Sequence, residues 1–309
     1  MTEKKSTMRV RSWKSYELGE KIGSGAYGKV YASPGGYALK KIVRVSPDDT
    51  DHMKPESFRA MVENEVILNQ LLNEDGATTP MIEADINDDY AWIVFRRMDG
   101  PLSRYHPIDP WDISQKLVLC VAKMHAKNIV HRDVKPENIL VSEEEDDVDV
   151  RLCDLGMSRK LEEVGGASIP WTDYVTTRWY RAPEIVCGNY KPGQTKAGDM
   201  WAVGCVIAGL YLKAPLFPGK SVSDQAARIG LALGIPGCQD SFNGARLGST
   251  SWKLQTVMLN AASLSTHETR LSYAIRELPL KVKILIEGLI VYDTNRRWTA
   301  SQTLDYMTV

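Results

Sequence analysis

Hydrophobic and polar positions in the first part of the chain follow the pattern of short strands separated by turns. Strands are predicted over 16–22, 28–32, 37–45, 81–83 and 91–95. The turn Ser33-Pro34-Gly35-Gly36 is short and rich in glycine, so it should join the second and third strands as antiparallel neighbours. This part of the chain is therefore expected to form a small antiparallel sheet.

Helical spacing of apolar residues interrupts the strands once and then dominates the rest of the chain. Phe58, Val62, Leu68 and Leu72 recur on one face, which predicts an amphipathic helix over 55–72. After the turn Met98-Asp99-Gly100-Pro101, helices are predicted over 111–127, 195–212, 224–233 and 280–289. We expect an α+β chain, with a β-rich part that holds one helix followed by a larger helical part.

Composition and charge are those of an ordinary globular protein. The 309 residues are 43% hydrophobic and 25% charged, which suits one two-lobed unit or two modest domains. The formal net charge of -1 at pH 7 indicates neither nucleic acid nor a membrane surface as a partner. Residues 1–15 are a basic tail and residues 143–149 an acidic run, and we expect both to be solvated.

Cysteine usage indicates a reducing compartment. The chain has five cysteines, an odd number, and no C-x-x-C spacing, so reduced thiols are expected rather than disulfides or a zinc site. The N-terminal residues lack an apolar stretch, and no secretory signal is expected. The longest strongly apolar run, 201–212, is too short to cross a bilayer and predicts a buried helix. We expect a cytoplasmic or nuclear protein.

A glycine-rich segment suggests phosphate binding. The pattern G-x-G-x-x-G-x-V occurs in Ile22-Gly23-Ser24-Gly25-Ala26-Tyr27-Gly28-Lys29-Val30. Glycines allow the backbone to approach phosphate oxygens closely. A strand follows the segment, which excludes a dinucleotide fingerprint, and the chain contains no G-x-x-x-x-G-K-[ST]. The pattern alone would also fit a simple glycine-rich hairpin.

A lysine and a glutamate extend the phosphate-binding hypothesis. Strand alternation puts Ala38 and Lys40 on one face, where the ammonium could neutralise phosphate charge, and Lys41 on the solvated face. Glu65 lies on the apolar face of the predicted helix, where a carboxylate is costly unless it is paired. Glu65 is therefore the favoured partner of Lys40, and Glu63 is the alternative.

Two polar motifs follow in the second part of the chain. The segment 129–140 contains H-R-D-x-x-x-x-N from His131 to Asn138, and it includes Asp133 and Lys135. Asp154-Leu155-Gly156 follows an apolar strand, and its aspartate offers oxygens of the kind that bind metals. A polar loop between a helix and a strand is the ordinary alternative, but it does not explain so many functional residue types at this spacing.

These motifs resemble those of the eukaryotic protein kinase family over residues 16 to about 302. The same family pattern continues in Ala182-Pro183-Glu184, in the segment that begins at Asp199, and in the segment from Asp293 to Ala300. The resemblance implies the bilobal protein-kinase fold, with an N-lobe over about 16–98 and a C-lobe over about 99–309. It also implies that Arg297 pairs with Glu184.

The resemblance implies ATP and Mg²⁺ as cofactors and serine or threonine hydroxyls of proteins as acceptors. Asp133 would orient the hydroxyl and accept its proton, Lys40 and Lys135 would stabilise phosphate charge, and Asn138 and Asp154 would bind Mg²⁺. The implied nucleotide contacts are Ile22, Gly23, Ser24, Gly25, Ala26, Tyr27, Gly28, Lys29, Val30, Ala38, Lys40, Glu65, Phe95, Arg96, Met98 and Leu140. Phe95 would be the gatekeeper, and Arg96 and Met98 would offer backbone hydrogen bonds to adenine.

The segment from Trp171 to Glu184 resembles the activation segment of mitogen-activated protein kinases. It contains T-D-Y at Thr172 and Tyr174, and the resemblance implies phosphorylation of both residues, by an upstream kinase or by the chain itself. In the wider group that includes cyclin-dependent kinases, an arginine at the position of Arg181 accompanies proline after the target residue. Substrates with Ser-Pro or Thr-Pro are therefore expected.

Some positions depart from the family pattern. Asn64 replaces the arginine that usually precedes the helix glutamate, and Leu155 replaces the usual phenylalanine. The helix does not spell the cyclin-binding sequence, so a cyclin partner is not expected. The chain ends at Val309, so the acidic docking extension is not expected either. A pseudokinase scaffold that binds nucleotide or partner proteins is the alternative function, but the lysine, the base and the metal aspartate are all present.

Overall fold

The computed structural model describes residues 11–25, 28–44, 54–107, 109–145, 147–161, 177–188, 195–235 and 249–308. The chain divides into two units. The first contains residues 1–99 and 154–156, and the second contains residues 100–153 and 157–309. The first is built mainly from strands and the second mainly from helices, which confirms the α+β, two-lobe fold expected from the sequence.

An antiparallel sheet of five strands forms the body of the first unit. The strands are β3 (Lys21–Ser24), β4 (Gly28–Ser33), β5 (Tyr37–Val43), β6 (Met81–Ile86) and β7 (Tyr90–Arg96). Their order across the sheet is β3-β4-β5-β7-β6. Gly35 and Gly36 have φ values of 81° and 76°, in the left-handed region that glycine adopts at little cost. They allow the tight β4–β5 turn that the sequence predicts.

The N-terminal tail and the first predicted strand need correction. Arg11–Trp13 (β1) pairs with Tyr16–Leu18 (β2), so residues 11–13 belong to a hairpin and not to a solvated tail. The strand predicted over 16–22 is interrupted at Gly19. The Gly19 amide donates to the Ala32 carbonyl at 2.8 Å, and this bond turns the chain from β2 into β3. Residues 1–10 lie outside the described part of the chain.

One helix packs on the sheet, at the bounds predicted from its periodicity. It is α1 (Pro55–Leu72), and it begins with a proline, whose fixed φ suits the first turn of a helix. Phe58 and Val62 are buried in one cluster with Ile42 and Ile93 of the sheet. A separate cluster, around Leu39, Trp92 and Val94, includes Trp13 and Tyr16 of the N-terminal hairpin. Ile42 and Leu39 of β5 thus belong to different clusters, because alternate side chains of the strand point to opposite faces of the sheet.

The described part of the second unit consists of helices and two small sheets. The helices are α2 (Pro110–Ala126), α3 (Pro183–Val186), α4 (Thr195–Leu212), α5 (Val222–Leu233), α6 (Ser249–Ser263), α7 (Leu271–Ala274), α8 (Leu280–Leu289) and α9 (Ala300–Met307). One sheet contains β8 (Gly100–Pro101), β10 (Ile139–Glu144) and β11 (Asp147–Leu152), and the other pairs β9 (Ile129–Val130) with β12 (Arg159–Lys160). Of the helices in the described ranges, none is long and apolar enough to span a membrane.

Candidate active site

Lys40 lies at the centre of an ion-pair cluster in the first unit. Its Nζ is 2.6 Å from Oε1 of Glu65 and 2.7 Å from Oδ1 of Asp154. Glu65 is buried on α1, whereas Glu63 is exposed on the same helix. The structure therefore pairs Lys40 with Glu65 and leaves Glu63 on the solvent side.

Lys41 points away from this cluster. Its Nζ lies 5.3 Å from the centroid of the Trp92 ring and 5.5 Å from that of Tyr90. Such cation–π contacts contribute little energy at exposed sites. They show that the Lys41 side chain lies on the face of the sheet opposite to Lys40. Alternation along β5 thus separates the two lysines as the sequence predicted.

The two carboxylates keep Lys40 protonated. Burial alone would lower the Lys40 pKa, because it disfavours the charged ammonium. The negative charges of Asp154 and Glu65, together with their hydrogen bonds to Nζ, outweigh this effect and raise the Lys40 pKa above its ordinary value. The cluster therefore contains a fixed positive charge at neutral pH, and an anionic ligand could exploit it.

The backbone at Asp154 adopts an unusual conformation. Its φ is 62°, in the left-handed region that few residues other than glycine occupy. The Asp154 side chain remains 44% exposed, which suits a group that is to meet a ligand. Leu155, which replaces the usual phenylalanine, is fully buried and so fills an apolar position. A Cβ on Gly156 would lie 3.6 Å from Oε2 of Glu65, in ordinary van der Waals contact.

The glycine-rich segment forms the β3–β4 hairpin. Gly23 pairs with Val30 and Ser24 with Lys29, and the Gly25 amide donates to the Gly28 carbonyl at 2.9 Å. A Cβ on Gly28 would lie 2.4 Å from the Lys41 carbonyl oxygen, so only glycine fits at that position. Ala26 and Tyr27, at the tip, lie outside the described residues. Ile22 is half-buried at the base of the hairpin.

The expected adenine contacts occupy the sheet next to Lys40 and the segment that leaves it. Ala38 is buried on β5 and pairs with Phe95, which is half-buried at the end of β7. Arg96 is exposed and Met98 is buried. Leu140 lies half-buried on β10 in the second unit. We call residues 96–98 the hinge.

Three residues that the kinase resemblance predicts to be catalytic form a hydrogen-bonded group in the loop after β9, in the second unit. Oδ2 of Asp133 accepts hydrogen bonds from Nζ of Lys135 at 2.6 Å and from Nδ2 of Asn138 at 2.9 Å. Nδ2 of Asn138 also donates to the Asp133 carbonyl at 2.9 Å. Because Nδ2 makes both of these bonds, the amide nitrogen of Asn138 faces Asp133 and the amide oxygen does not. The loop thus brings Asp133, Lys135 and Asn138 together.

Asp199, on α4, holds the backbone of this loop. It is buried and accepts hydrogen bonds at 2.8 Å from the amides of both His131 and Arg132, while Nε2 of His125 lies 3.0 Å away. Burial by itself raises the Asp199 pKa, but the hydrogen bonds with His125 and the His131 amide outweigh it and lower that pKa below its ordinary value. The sequence singled out the segment that begins at Asp199, but it gave no signal for His125.

The oxygen atoms of Asp154 and Asn138 suit Mg²⁺, which binds carboxylate and amide oxygens. Within the described ranges, no group of three or more His, Cys, Asp or Glu side chains could hold a metal ion. In nucleotide sites, Mg²⁺ ordinarily takes one or two protein carboxylates and completes its shell with water and substrate phosphates. The donor types of Asp154 and Asn138 fit such an ion.

Arg181, which the sequence linked to proline-directed substrates, lines a small cleft in the second unit. The cleft is beside Asp133 and is lined by Thr177, Tyr180, Arg181, Ile185 and Ala202, among others. The Trp179 indole donates to the Gly219 carbonyl at 3.1 Å and fastens this segment to the loop before α5. Thr172 and Tyr174 lie outside the described residues.

A buried ion pair stabilises the end of the same segment. The Arg297 guanidinium binds both carboxylate oxygens of Glu184, at 2.7 and 3.1 Å, and also donates to two backbone carbonyls, those of Ala197 and Val291. The pair is the one that the kinase resemblance implied. It links α3 to the segment before α9.

Comparison with known proteins agrees with this geometry. Residues 16–307 match the family model described as a protein kinase domain, and the chain therefore belongs to the protein kinase family. Members of this family generally use ATP and Mg²⁺. The chain is 31% identical to mitogen-activated protein kinase 17 of Arabidopsis thaliana over 255 residues, which are 76% of this chain and 50% of that protein.

Two further relatives define the group. Mitogen-activated protein kinase 13 of Oryza sativa subsp. indica is 30% identical over 94% of this chain and 57% of its own length. Human cyclin-dependent kinase-like 2 is 35% identical over 72% of this chain and 45% of its own length. The chain is thus a serine/threonine-type protein kinase domain of the mitogen-activated and cyclin-dependent kinase group. It spans about half the length of the curated relatives that it matches.

Proposed function

We propose that this chain is a catalytically active kinase domain that transfers the γ-phosphoryl group of Mg-ATP to serine or threonine hydroxyls of proteins. The observation that carries the proposal is the Lys40 cluster, in which a buried glutamate and an exposed aspartate hold one protonated lysine. The group formed by Asp133, Lys135 and Asn138 supports it, because it supplies the carboxylate that the reaction needs at the acceptor hydroxyl.

In the proposed reaction, the acceptor hydroxyl oxygen forms a bond to the γ-phosphorus, and the bond between that phosphorus and the β,γ-bridging oxygen breaks. The hydroxyl proton passes to the Asp133 carboxylate, and ADP leaves with the bridging oxygen. Lys135, 2.6 Å from Asp133, offers positive charge to the transferred group. Mg²⁺, when bound, would neutralise charge on the phosphate oxygens, with Asp154 and Asn138 as its protein ligands.

The remaining site residues are proposed as nucleotide contacts. The glycine hairpin would cover the phosphates, Lys40 would bind them, and Glu65 would hold Lys40 in place. Ala38, Phe95 and Leu140 would enclose the adenine, and backbone groups of Arg96 and Met98 would bind its edge. The proposed kinase domain covers residues 16–309, with an N-lobe over about 16–98 and a C-lobe over about 99–309.

The proposed substrates carry proline directly after the target serine or threonine. The cleft beside Asp133 supports this, since Arg181 and the apolar side chains of Ile185 and Ala202 line it. We further propose that phosphorylation at Thr172 and Tyr174 switches the enzyme, with an upstream kinase or the chain itself as donor. Arg132 and Arg159 for Thr172, and Arg178 and Arg181 for Tyr174, are the proposed phosphate partners.

The proposed partners are proteins, without nucleic acid, membrane or cyclin, in the cytoplasm or nucleus. The alternative, a pseudokinase scaffold, rests on Leu155, on the unusual helix sequence around Asn64 and on the short strand connection from Ser33 to Gly36. Leu155 is buried like an ordinary core residue, which supports an intact site over a degenerate one.

A positional-scanning peptide array with radiolabelled Mg-ATP tests the substrate class. The proposal predicts transfer to Ser-Pro and Thr-Pro peptides over their Ser-Ala and Thr-Ala counterparts. Equal labelling of the two sets would refute proline direction while leaving the kinase activity in place. Mass spectrometry of the same sample reports phosphate on Thr172 and Tyr174, and a fully active but unmodified chain would refute the proposed switch.

A further inference from the structure

The hinge backbone is held by hydrogen bonds from two other segments of the first unit. The Arg96 amide donates to the Pro80 carbonyl and the Arg97 amide donates to the Gly36 carbonyl, both at 2.9 Å. Gly36 is the last residue of the β4–β5 turn. Because Tyr37 pairs with Arg96, the second bond extends the β5–β7 ladder one residue beyond the end of β7.

A side-chain contact also holds Arg96, in addition to its backbone hydrogen bond. The Arg96 guanidinium lies 5.3 Å from the centroid of the Tyr37 ring, within cation–π range. The Tyr37 ring in turn meets the Tyr16 ring edge-on, with centroids 5.3 Å apart. Arg97 has only an exposed contact with Glu20 at 4.0 Å, which contributes little. The hinge is therefore held through the backbone at Arg97 and through both backbone and side chain at Arg96.

The bond to Arg97 depends on the conformation of Gly36. Its φ of 76° lies in the left-handed region, which is costly for residues with a Cβ. A Cβ on Gly36 would meet no atom within 4 Å, whereas one on Gly35 would lie 3.0 Å from the Tyr37 ring. Alanine at position 36 would therefore act only through backbone preference. The turn is exposed, so it can relax by moving the Gly36 carbonyl away from the Arg97 amide.

We propose that Gly36 and Tyr37 are positioning residues for the nucleotide base. Gly36 holds the peptide group between Arg96 and Arg97, and Tyr37 holds the Arg96 side chain, next to the backbone groups of Arg96 and Met98 to which the proposed function assigns the adenine hydrogen bonds. The inference rests on that proposed function. Preorganised hydrogen-bonding groups increase affinity because less ordering remains to be done on binding. These residues should therefore control the affinity for ATP and leave the phosphoryl-transfer step unchanged.

The test compares Gly36→Ala with Gly36→Asn, because asparagine tolerates the left-handed region better than alanine does. Gly76→Ala is the control, since Gly76 has φ of 64° in the turn after α1 and has the same backbone cost. The dissociation constant of a fluorescent ATP analogue is measured together with KM for ATP and kcat. Gly36→Ala should weaken binding and raise KM roughly five-fold at unchanged kcat. Gly36→Asn and Gly76→Ala should stay within about two-fold of wild type.

A second variant keeps the inference testable if Gly36→Ala does not fold. Tyr37→Leu removes the ring under Arg96 and should raise the KM for ATP roughly two- to three-fold without changing kcat. If wild type binds ATP and both Gly36→Ala and Tyr37→Leu bind it equally tightly, the inference is overturned while the proposed function stands. Loss of kcat in step with affinity would also overturn it. Failure of the wild-type chain to bind ATP would overturn the proposed function together with the inference.

Discussion

Nζ of Lys40 and Oε1 of Glu65 lie 2.6 Å apart, and they join the middle of the sheet to helix α1, which packs on it. The Glu65 side chain is only 3% exposed. A buried carboxylate of this kind is tolerated because the ammonium compensates its charge. In the proposed function, the same contact orients the Lys40 side chain for binding to the phosphates of ATP.

Replacement of Glu65 by glutamine should reduce kinase activity without removing the helix. Glutamine keeps the size of the side chain but loses the charge that holds Lys40, and charged hydrogen bonds contribute more than neutral ones. We expect kcat/KM to fall roughly 10- to 100-fold. The matched control is Glu63→Gln on the exposed face, which should stay within about two-fold of wild type. Equal losses in both variants would contradict the assignment of Glu65.

Replacement of Arg297 by methionine should destabilise the second unit. The change leaves the Glu184 carboxylate buried without its partner, which typically costs about 3–5 kcal/mol in the free energy of unfolding. Urea denaturation followed by circular dichroism measures this loss. Arg296→Met, on the exposed neighbour, should change the free energy of unfolding by less than about 0.5 kcal/mol. Similar stabilities for the two variants would contradict the role of the buried pair.

Buried thiols should resist alkylation in the folded protein. Burial raises the pKa of Cys120 to about 11 and that of Cys187 to about 12, so both remain thiols at pH 8. Mass spectrometry after iodoacetamide treatment should show Cys153, which is half-buried, modified before either. Modification of Cys120 as fast as Cys153 at pH 8 would contradict this.

The raised pKa of Cys120 implies that the folded protein loses stability at high pH. The folded state holds the Cys120 proton more tightly than the unfolded state, whose thiol has the ordinary pKa of 9.0. This contribution to the free energy of unfolding is complete below pH 9 and is lost as the pH rises towards about 11.

Gly230 should be intolerant of alanine although it lies inside a helix. A Cβ there would lie 2.2 Å from the Met258 carbonyl oxygen, where α5 and α6 approach each other. Alanine normally stabilises a helix by about 1 kcal/mol relative to glycine, but overpacking costs about 1–3 kcal/mol. Gly230→Ala should therefore lower the unfolding temperature. Gly209→Ala on α4, where the nearest atom is at an ordinary 3.5 Å, should leave it unchanged or raise it.

The parts of the molecule that sequence reasoning predicted well are those governed by local periodicity. The bounds of α1 and the opposite directions of Lys40 and Lys41 follow from the repeat of a helix and the alternation of a strand. These rules also favoured Glu65 but left Glu63 as an alternative, and the structure decides between them through the 2.6 Å contact of Lys40 with Glu65. The roles of these residues in catalysis stay predictions.

The parts that could not be predicted depend on contacts between distant residues. The strand Arg11–Trp13 is stabilised by the stack of Trp13 on Trp92, with ring centroids 5.7 Å apart, and no local pattern records that contact. Helix α6 was not predicted, and its packing relies on the missing side chain at Gly230. The bonds from Asp199 to the catalytic loop likewise join positions far apart in the sequence.

The central claim is that the chain is an active protein kinase, and its most direct test is transfer of ³²P from [γ-³²P]ATP to a generic basic protein in the presence of Mg²⁺. Wild-type protein is compared with Asp133→Asn and Lys40→Met, with Lys41→Met as the matched control. Transfer is expected from wild type and from Lys41→Met, with a loss of about 10²- to 10⁴-fold in Asp133→Asn. Binding of ATP by wild type without any transfer, or transfer that survives Asp133→Asn, would contradict the claim.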